Sequence, residues 1–392
     1  MRQPSAELFP TNEPIPASQM IGRQDDVAEI ASRLENGMHL WLAGPRRTGK
    51  TSVCDAALTR SKARGYYIAK VDLFRIADSA ELAEALAVEI IRNRSAARRV
   101  LRATRKAGRT ALSAAQATAS LKLGKEFGEG AEIALTPGIA AESPRKALDA
   151  ALHLPEAVAK ADGRRLILFF DEFQEVAAER KPYGDPDALT KRMRAIFQRS
   201  SNVSYLFAGS IEHVMRDLFG PGRRAFAGFG AFYRLGAIAE EEWRAGLSER
   251  YAADDCTIDD PALNRLVELG EGHPRATMLI AQHAHLLSVQ LDTTEISADL
   301  VEIALQRAIA GDRPAMEQTV ESIRRLHREA LAIARALATG KSPPSRLHPG
   351  VRDRVLKRLE RAGVAEHVAR GDWRIINPLL KPYLAELNPL TV

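Results

Sequence analysis

The chain has 392 residues, of which 45% are hydrophobic, and its formal net charge is +6 with an isoelectric point near 9.3. This length predicts two to three domains with a sizeable core. The mild positive charge is compatible with nucleic-acid binding but does not establish it. No stretch reaches about 18 uninterrupted apolar residues, so no transmembrane helix is predicted. The only cysteines, Cys54 and Cys256, lie far apart, which excludes a disulfide framework and a C-x-x-C metal site.

Residues 1–17 are predicted to form a flexible leader, because they include four prolines among charged and polar residues. They lack the apolar run of a signal peptide, so we expect a cytoplasmic protein with no membrane partner. Ile21-Gly22-Arg23 then precede an amphipathic helix that ends at Asn36-Gly37. This helix leads the chain into its most informative segment.

That segment is residues 38–51, where a short apolar strand runs directly into the pattern G-x-x-x-x-G-K-[ST]. The spacing is typical of a phosphate-binding loop, because two glycines let consecutive backbone N–H groups turn towards one anion. A helix predicted over 52–60 follows with its positive end at the loop. The predicted nucleotide-binding residues are Gly44, Pro45, Arg46, Arg47, Thr48, Gly49, Lys50, Thr51 and Ser52.

Two side chains of this loop carry its chemistry. The Lys50 ammonium is expected to bind the β- and γ-phosphates of a nucleotide, and the Thr51 hydroxyl to ligate the Mg²⁺ that bridges them. The sequence therefore predicts that the protein binds ATP together with Mg²⁺.

A second motif consists of five apolar residues, 166–170, followed by Asp171 and Glu172. A continuously apolar strand is typical of a parallel sheet that is covered on both faces. We predict that Asp171 binds the Mg²⁺. A neighbouring carboxylate can polarise a water for attack on the γ-phosphate, so Glu172 indicates a hydrolase.

Other candidate catalytic residues have weaker signals. Ser210 follows a strand predicted over 204–208 and either responds to the γ-phosphate or forms a turn. Arg223 and Arg224 lie in a loop rich in glycine and proline, where they either stabilise transition-state charge, in this chain or a neighbour, or lie on the surface. Arg275 follows Gly272-His273-Pro274 at a helix start and points either at the nucleotide or into solvent. Gln174 and Glu175 are weaker candidates still.

The order of elements predicts the domain organisation. Strands alternate with helices up to residue 239, which predicts a P-loop ATPase core over 18–239 with a parallel α/β sheet. This core includes an insert of about 95–160. The 92–109 segment of the core contains eight basic residues and no acidic one. It is either a solvated helix face or a contact for DNA phosphates. Helical periods alone over 240–315 predict a lid subdomain.

The last segment, 316–392, predicts a winged helix-turn-helix domain, with helices over 327–337 and 350–361 and a hairpin over 364–376. The second helix carries candidate contacts to double-stranded DNA: Arg352, Arg354, Lys357, Arg358 and Arg361. The hairpin adds Arg370, Trp373 and Arg374. Winged helices also bind proteins, so a protein partner stays open. His283 and His285 are two residues apart on a helix and do not share a face, so they predict no metal site.

Taken in order, these motifs resemble those of the AAA+/STAND-type P-loop ATPases, in particular the archaeal-type ATPase group, which is related to initiators of the origin-recognition kind. The motifs that carry the resemblance are Ile21-Gly22-Arg23, Gly44 to Thr51, Phe170-Asp171-Glu172, Gly209-Ser210 and Gly272-His273-Pro274-Arg275. The resemblance covers residues 18–390 and implies a sheet of order 5-1-4-3-2, with ATP bound between the sheet and a helical lid. It also implies that Arg275 is the sensor 2 residue and that nucleotide drives self-association.

The leading hypothesis is an Mg²⁺-dependent ATPase whose nucleotide state moves the lid and the winged helix, with DNA as the partner. The alternative is a slow signalling switch that holds ATP or ADP and recruits a protein, because the Gly-x-Pro motif is shared with switch ATPases. A small-molecule kinase is disfavoured, since Glu172 suits water activation and no acceptor domain is evident.

Overall fold

The computed structural model describes residues 4–11, 14–45, 47–93, 144–177, 185–222, 224–341, 348–369 and 372–387. The predictions for Arg46, Arg223 and Arg370, and for most of the basic segment and the insert, lie outside these residues. The chain divides into two compact units. The sheet unit comprises Asp26–Ala43 and Val53–Arg234, and the lid unit comprises Met1–Asp25, Gly44–Ser52 and Leu235–Val392.

The sheet unit is built on a five-stranded sheet in which each strand runs parallel to its neighbours. The strands are β1 (Leu40–Ala43), β2 (Tyr67–Asp72), β3 (Leu166–Asp171), β4 (Val203–Gly209) and β5 (Ala231–Tyr233). Their spatial order is β2-β3-β4-β1-β5, which confirms the predicted order 5-1-4-3-2. The last strand, β5, covers only three residues.

The helices described up to residue 219 are α1 (Ser5–Leu8), α2 (Gln24–Glu35), α3 (Lys50–Ala63), α4 (Ser79–Ile91), α5 (Pro144–Asp162), α6 (Pro186–Phe197) and α7 (Glu212–Phe219). Short 3₁₀ turns cover Ala17–Gln19, Leu73–Arg75 and Phe173–Ala177. Asp78 caps the start of α4, since its carboxylate accepts hydrogen bonds from the Ala80 and Glu81 amides at 2.8 and 2.9 Å.

The register of the sheet brings the motif residues to one edge. Every residue of β3 and β4 is buried, as expected for central parallel strands. Asp72 pairs with Asp171, and Ala43 pairs with Gly209. The carboxyl ends of β1, β3 and β4 therefore lie at the same edge of the sheet.

Helix α5 differs from the sequence prediction, which places most of it inside the insert of about 95–160. Its residues Leu148, Leu152 and Leu154 are buried in the core of the sheet unit, and α5 packs against α4. The alanines and charged residues between these leucines weaken the apolar pattern in the sequence. The part of the predicted insert that the structure describes is thus a core helix.

The lid unit is mainly helical. Its helices from residue 240 onward are α8 (Glu240–Ala252), α9 (Asp260–Gly270), α10 (Pro274–Gln290), α11 (Ala298–Leu326), α12 (Ala330–Ala338), α13 (Pro349–Arg361) and α14 (Leu380–Glu386). Two strands of two residues each, β6 (Thr257–Ile258) and β7 (Glu295–Ile296), pair in parallel. Strands β8 (Ala365–Ala369) and β9 (Asp372–Ile375) form an antiparallel hairpin. Among the described helices, none combines the length and the apolar character needed to cross a membrane.

The leader is packed in the lid unit, although the sequence predicts flexibility over 1–17. Leu8 and Phe9 are buried, and the Phe9 ring lies 4.9 Å from the ring of Tyr251. The Gln282 amide donates to the Phe9 carbonyl at 3.0 Å, and Arg250 donates to the Leu8 carbonyl. The prolines that suggest disorder in the sequence do not prevent docking, because two apolar side chains between them are buried against helices.

Candidate functional site

The phosphate loop begins directly after β1 and ends at the start of α3. Gly49 has φ +85° and Arg47 has φ +67°, so the loop uses left-handed backbone at two positions. A Cβ added at Gly44 or at Gly49 would have no heavy atom within 4 Å. The loop therefore leaves open space beside both glycines, as a cradle for an anion requires.

Lys50 is curled against its own loop. Its Nζ donates to the carbonyls of Gly44 and Pro45 at 2.8 and 2.6 Å, and the residue is buried. The Thr48 hydroxyl also donates to the Pro45 carbonyl, at 3.0 Å. Thr51 lies half-buried in the first turn of α3. These contacts hold the lysine at the loop, where the sequence predicts that it binds phosphate.

Ser52 has a contact that the sequence does not reveal. Its hydroxyl oxygen accepts a hydrogen bond from the Ile15 amide at 3.1 Å. The leader is thus attached to the helix start that follows the phosphate loop. Arg46, the remaining predicted loop residue of this stretch, lies outside the described residues.

The Gly272-His273-Pro274-Arg275 segment begins α10 in the lid unit. Nδ1 of His273 accepts a hydrogen bond from the Ala276 amide at 3.2 Å and caps the helix. Burial, followed by the positive charges of Arg275, Arg47 and Lys50, lowers the pKa of His273 to about 4. The imidazole therefore stays neutral at physiological pH.

Arg275 pairs with a residue that the sequence analysis missed. Its two terminal nitrogens donate to the Asp312 carboxylate at 2.7 and 2.8 Å, and Nη1 of Arg47 lies 3.7 Å from the same carboxylate. The sequence offers two environments for Arg275, the nucleotide or solvent, and the structure shows a third. No motif marks Asp312, because it lies 37 residues further along the chain on α11.

In the sheet unit, Asp171 ends β3 as predicted and is buried. Its Oδ1 accepts a hydrogen bond from the Glu172 amide at 3.1 Å. Nζ of Lys70, from the neighbouring strand, lies 4.0 Å from Oδ2 of Asp171 and donates to both oxygens of Asp55 at 2.7 and 2.8 Å. Asp171 therefore offers oxygen atoms, the ligands that Mg²⁺ prefers, beside a cation that compensates its charge.

Glu172, Gln174 and Ser210 form a hydrogen-bonded cluster at the ends of β3 and β4. The Ser210 hydroxyl donates to Oε2 of Glu172 at 2.7 Å, and the Gln174 amide nitrogen donates to the same oxygen. The Gln174 carbonyl oxygen in turn accepts from the Ser210 amide at 3.1 Å. Glu172 has φ +51°, so its backbone turns sharply after the strand. The structure thus joins Ser210 to Glu172 and adds Gln174, which the sequence marks only weakly.

Arg224 is exposed and forms an ion pair with Asp187 at 3.0 Å. Both side chains are more than half exposed, so this pair contributes little stability and can exchange easily. Arg223 lies outside the described residues. That Arg223 or Arg224 stabilises transition-state charge therefore stays a prediction.

Helix α13 presents its basic residues to solvent. Val355, Leu356 and Leu359 are buried, whereas the five predicted DNA-contacting residues are all exposed. Two of the five have protein partners: Lys357 pairs with Asp353 at 2.9 Å, and Arg358 donates to the Leu326 carbonyl at 2.6 Å. The helix is therefore amphipathic with a basic outer face.

Solved structures match this chain over almost its full length. The Walker-type ATPase paby2304 of Pyrococcus abyssi has a TM-score of 0.69 at 16% identity, with 96% of this chain and 99% of that chain covered. The ORC2 protein of Aeropyrum pernix, in ADPNP-ADP complexes, has a TM-score of 0.58 at 15% identity, with 97% and 96% covered. No protein-family model and no curated protein matches the sequence. Together with the sheet order, these matches show that the chain has the α/β fold of the AAA+ P-loop ATPases.

Proposed function

We propose that the protein binds ATP with Mg²⁺ and hydrolyses it. The observation that carries this proposal is the phosphate loop, whose glycines leave an open cradle and whose Lys50 is buried against the loop carbonyls. The fold supports it, since structures of this fold include a Walker-type ATPase and a protein solved with ADPNP and ADP. The donor set also fits, because the hydroxyl of Thr51 and the carboxylate of Asp171 are hard oxygen ligands suited to Mg²⁺.

In this proposal each residue has one task. Lys50 and the loop amides bind the phosphates, and Thr51 and Asp171 hold the Mg²⁺. When bound, Mg²⁺ neutralises charge on the β- and γ-phosphates. Glu172 accepts a proton from the attacking water, and the hydrogen bonds from Ser210 and Gln174 orient its carboxylate. Arg223 and Arg224 are candidates for stabilising transition-state charge, in this chain or a neighbouring copy.

The test of nucleotide binding is a titration of labelled ATP against Lys50→Ala, with Lys62→Ala as the matched control. Lys62 lies on the same helix but is exposed near its other end. Losing a charge-assisted hydrogen bond to phosphate should weaken binding by about 10- to 100-fold. Unchanged affinity of Lys50→Ala, or equal loss in both variants, would contradict the proposal.

We further propose that nucleotide state is coupled to double-stranded DNA through the C-terminal segment, acting as a winged helix, and the basic 92–109 segment. The exposed basic face of α13 supports this, together with the β8–β9 hairpin that follows it. Within the described residues, Arg352, Arg354 and Arg361 form no ion pair, which leaves their charge available for phosphates.

The predicted contact between α13 and DNA is tested by measuring the affinity for duplex DNA over a range of salt concentrations. Replacing Arg352, Arg354 and Arg361 by alanine should reduce the slope of log affinity against log salt by about 0.9 for each lost phosphate contact. Alanine at Arg265, Arg313 and Arg325, which pair with acidic residues elsewhere in the lid unit, is the control. Equal slopes for both triple variants would exclude α13 from the DNA contact.

A slow nucleotide switch that recruits a protein is the second candidate. It is favoured by Oε2 of Glu172, which already accepts hydrogen bonds from two side chains and is therefore less free to accept a proton. In that case turnover is slow and duplex DNA changes neither nucleotide affinity nor turnover. Measuring turnover with and without DNA separates the two candidates.

A further inference from the structure

The pairing of Arg275 with Asp312 has a geometry that bears on nucleotide binding. Both terminal nitrogens of Arg275 donate to the two oxygens of Asp312, which is the fork-to-fork arrangement that arginine also uses for phosphate. The two side chains are only 13% and 11% exposed, so neither charge is well solvated. A phosphate that approaches this edge of Arg275 needs the donors that Asp312 now occupies.

The surroundings of Asp312 are strongly positive. Arg47, from the phosphate loop, lies 3.7 Å from its Oδ2 atom. Burial alone would raise the pKa of Asp312, but the hydrogen bonds and charge of Arg275, followed by the charge of Arg47, hold that pKa below its usual value. The charges of Arg275, Arg47 and Lys50 also lower the pKa of His273. Asp312 is therefore an ionised carboxylate that compensates cations at the phosphate loop and at the start of α10.

We propose that Asp312 is an internal counter-ion, which pairs with Arg275 beside Arg47 and is displaced from Arg275 when the phosphates of ATP bind. This inference rests on the proposed ATP binding. According to this inference, Asp312 lowers the affinity for nucleotide, whereas Lys50 raises it by binding the phosphates. No motif of the sequence assigns a role to this carboxylate.

Displacing Asp312 has a consequence for its helix. Asp312 lies near the middle of α11, which packs against α10, α12 and α13. Met316, Val320 and Ile323 of the same helix are buried in the lid-unit core. Loss of the Arg275–Asp312 pair removes an ion pair between α10 and α11. Nucleotide binding is therefore expected to lower the local stability of α11.

The test is ATP affinity in Asp312→Asn, which keeps the shape of the side chain and removes its charge. Removing the competitor should tighten ATP binding by about tenfold, within the range typical of coupled binding events. Glu317→Gln is the matched control, since it removes one negative charge from an exposed pair with Arg313 on the same helix. This control should bind ATP like the wild type.

A double variant separates displacement from a general charge effect. In the Arg275→Ala background, Asp312→Asn should change ATP affinity by about threefold or less, because the donor for which the carboxylate competes is gone. Weaker ATP binding by Asp312→Asn alone would overturn the inference, since it would mean that Asp312 positions Arg275 for the nucleotide.

A measurement on the wild type does not depend on how the variants fold. Backbone amides of α11 around residues 309–316 should exchange hydrogen faster when ATP is bound, because the Arg275–Asp312 pair is broken. Unchanged exchange there, with ATP bound, would also overturn the inference. A wild type that binds no ATP would overturn the proposed function and this inference together, whereas Lys50-dependent binding combined with unchanged exchange would overturn the inference alone.

Discussion

The Ser210 hydroxyl donates a hydrogen bond to Oε2 of Glu172 at 2.7 Å, so the serine after β4 contacts the glutamate after β3. Neighbouring parallel strands make this possible, because β3 and β4 pair in register and end at the same edge. A serine predicted either to respond to the γ-phosphate or to form a turn, and a glutamate predicted to activate water, thus belong to one hydrogen-bonded cluster. A change at either is expected to affect the other.

Glu172→Gln should retain ATP binding and lose hydrolysis. The amide cannot accept a proton from water, and a positioned general base contributes about 10²- to 10⁴-fold to a rate. Phosphate release and ATP affinity are measured on the same preparation. Glu241→Gln, at an exposed position in the first turn of α8, is the control and should keep its turnover. Equal turnover of Glu172→Gln and the wild type would remove Glu172 from the mechanism.

Ser210→Ala should lower turnover by about tenfold while ATP affinity changes little, because a hydrogen bond to a charged group contributes about 1.5–3 kcal/mol. The expected loss reflects poorer orientation of the Glu172 carboxylate. Combining Ser210→Ala with Glu172→Gln should cost no more than Glu172→Gln alone. Fully additive losses would show that Ser210 acts independently of Glu172.

Phe9→Ala should destabilise the protein by about 3–5 kcal/mol, the usual cost of truncating a buried aromatic residue. Phe9 is fully buried beside Tyr251, whereas Phe74, the control, is 64% exposed. Chemical denaturation measures the free energy of unfolding for Phe9→Ala and Phe74→Ala. A cost for Phe9→Ala as small as that for Phe74→Ala would show that the leader does not stay docked in solution.

Stability should fall between pH 6.5 and pH 4 because of His273. The folded protein holds its pKa at about 4, below the value of 6.5 expected in the unfolded chain, so the unfolded chain takes up the proton first as the pH falls. The stabilising contribution of neutral His273 is thus complete above pH 6.5 and is lost by about pH 4. The loss is on the order of 3 kcal/mol.

His273→Asn tests this pH dependence, because asparagine can cap α10 in place of the imidazole but does not titrate. The free energy of unfolding, measured without nucleotide from pH 7 to pH 4, should fall less steeply in His273→Asn than in the wild type. Parallel curves would show that His273 does not sense the pH.

The sequence by itself determined those features that depend on short spacings. The phosphate loop and the β3 strand with Asp171 and Glu172 were predicted from the residues, because a loop motif and a continuous apolar run impose their geometry locally. Lys50 is predicted from the sequence for the same reason. The order of the parallel sheet was predicted only through the resemblance to the AAA+/STAND-type ATPases, because strand order depends on distant pairings.

Only the tertiary structure decided the contacts between distant residues. Ser210 forms a hydrogen bond with Glu172, which lies 38 positions away in the chain. Arg275 forms an ion pair with Asp312, and the ring of Phe9 packs against that of Tyr251. The tertiary structure also made 144–162 a core helix where the sequence predicts an insert. Such pairs leave no local periodicity or motif, since they form only when strand register and helix packing bring separate segments together.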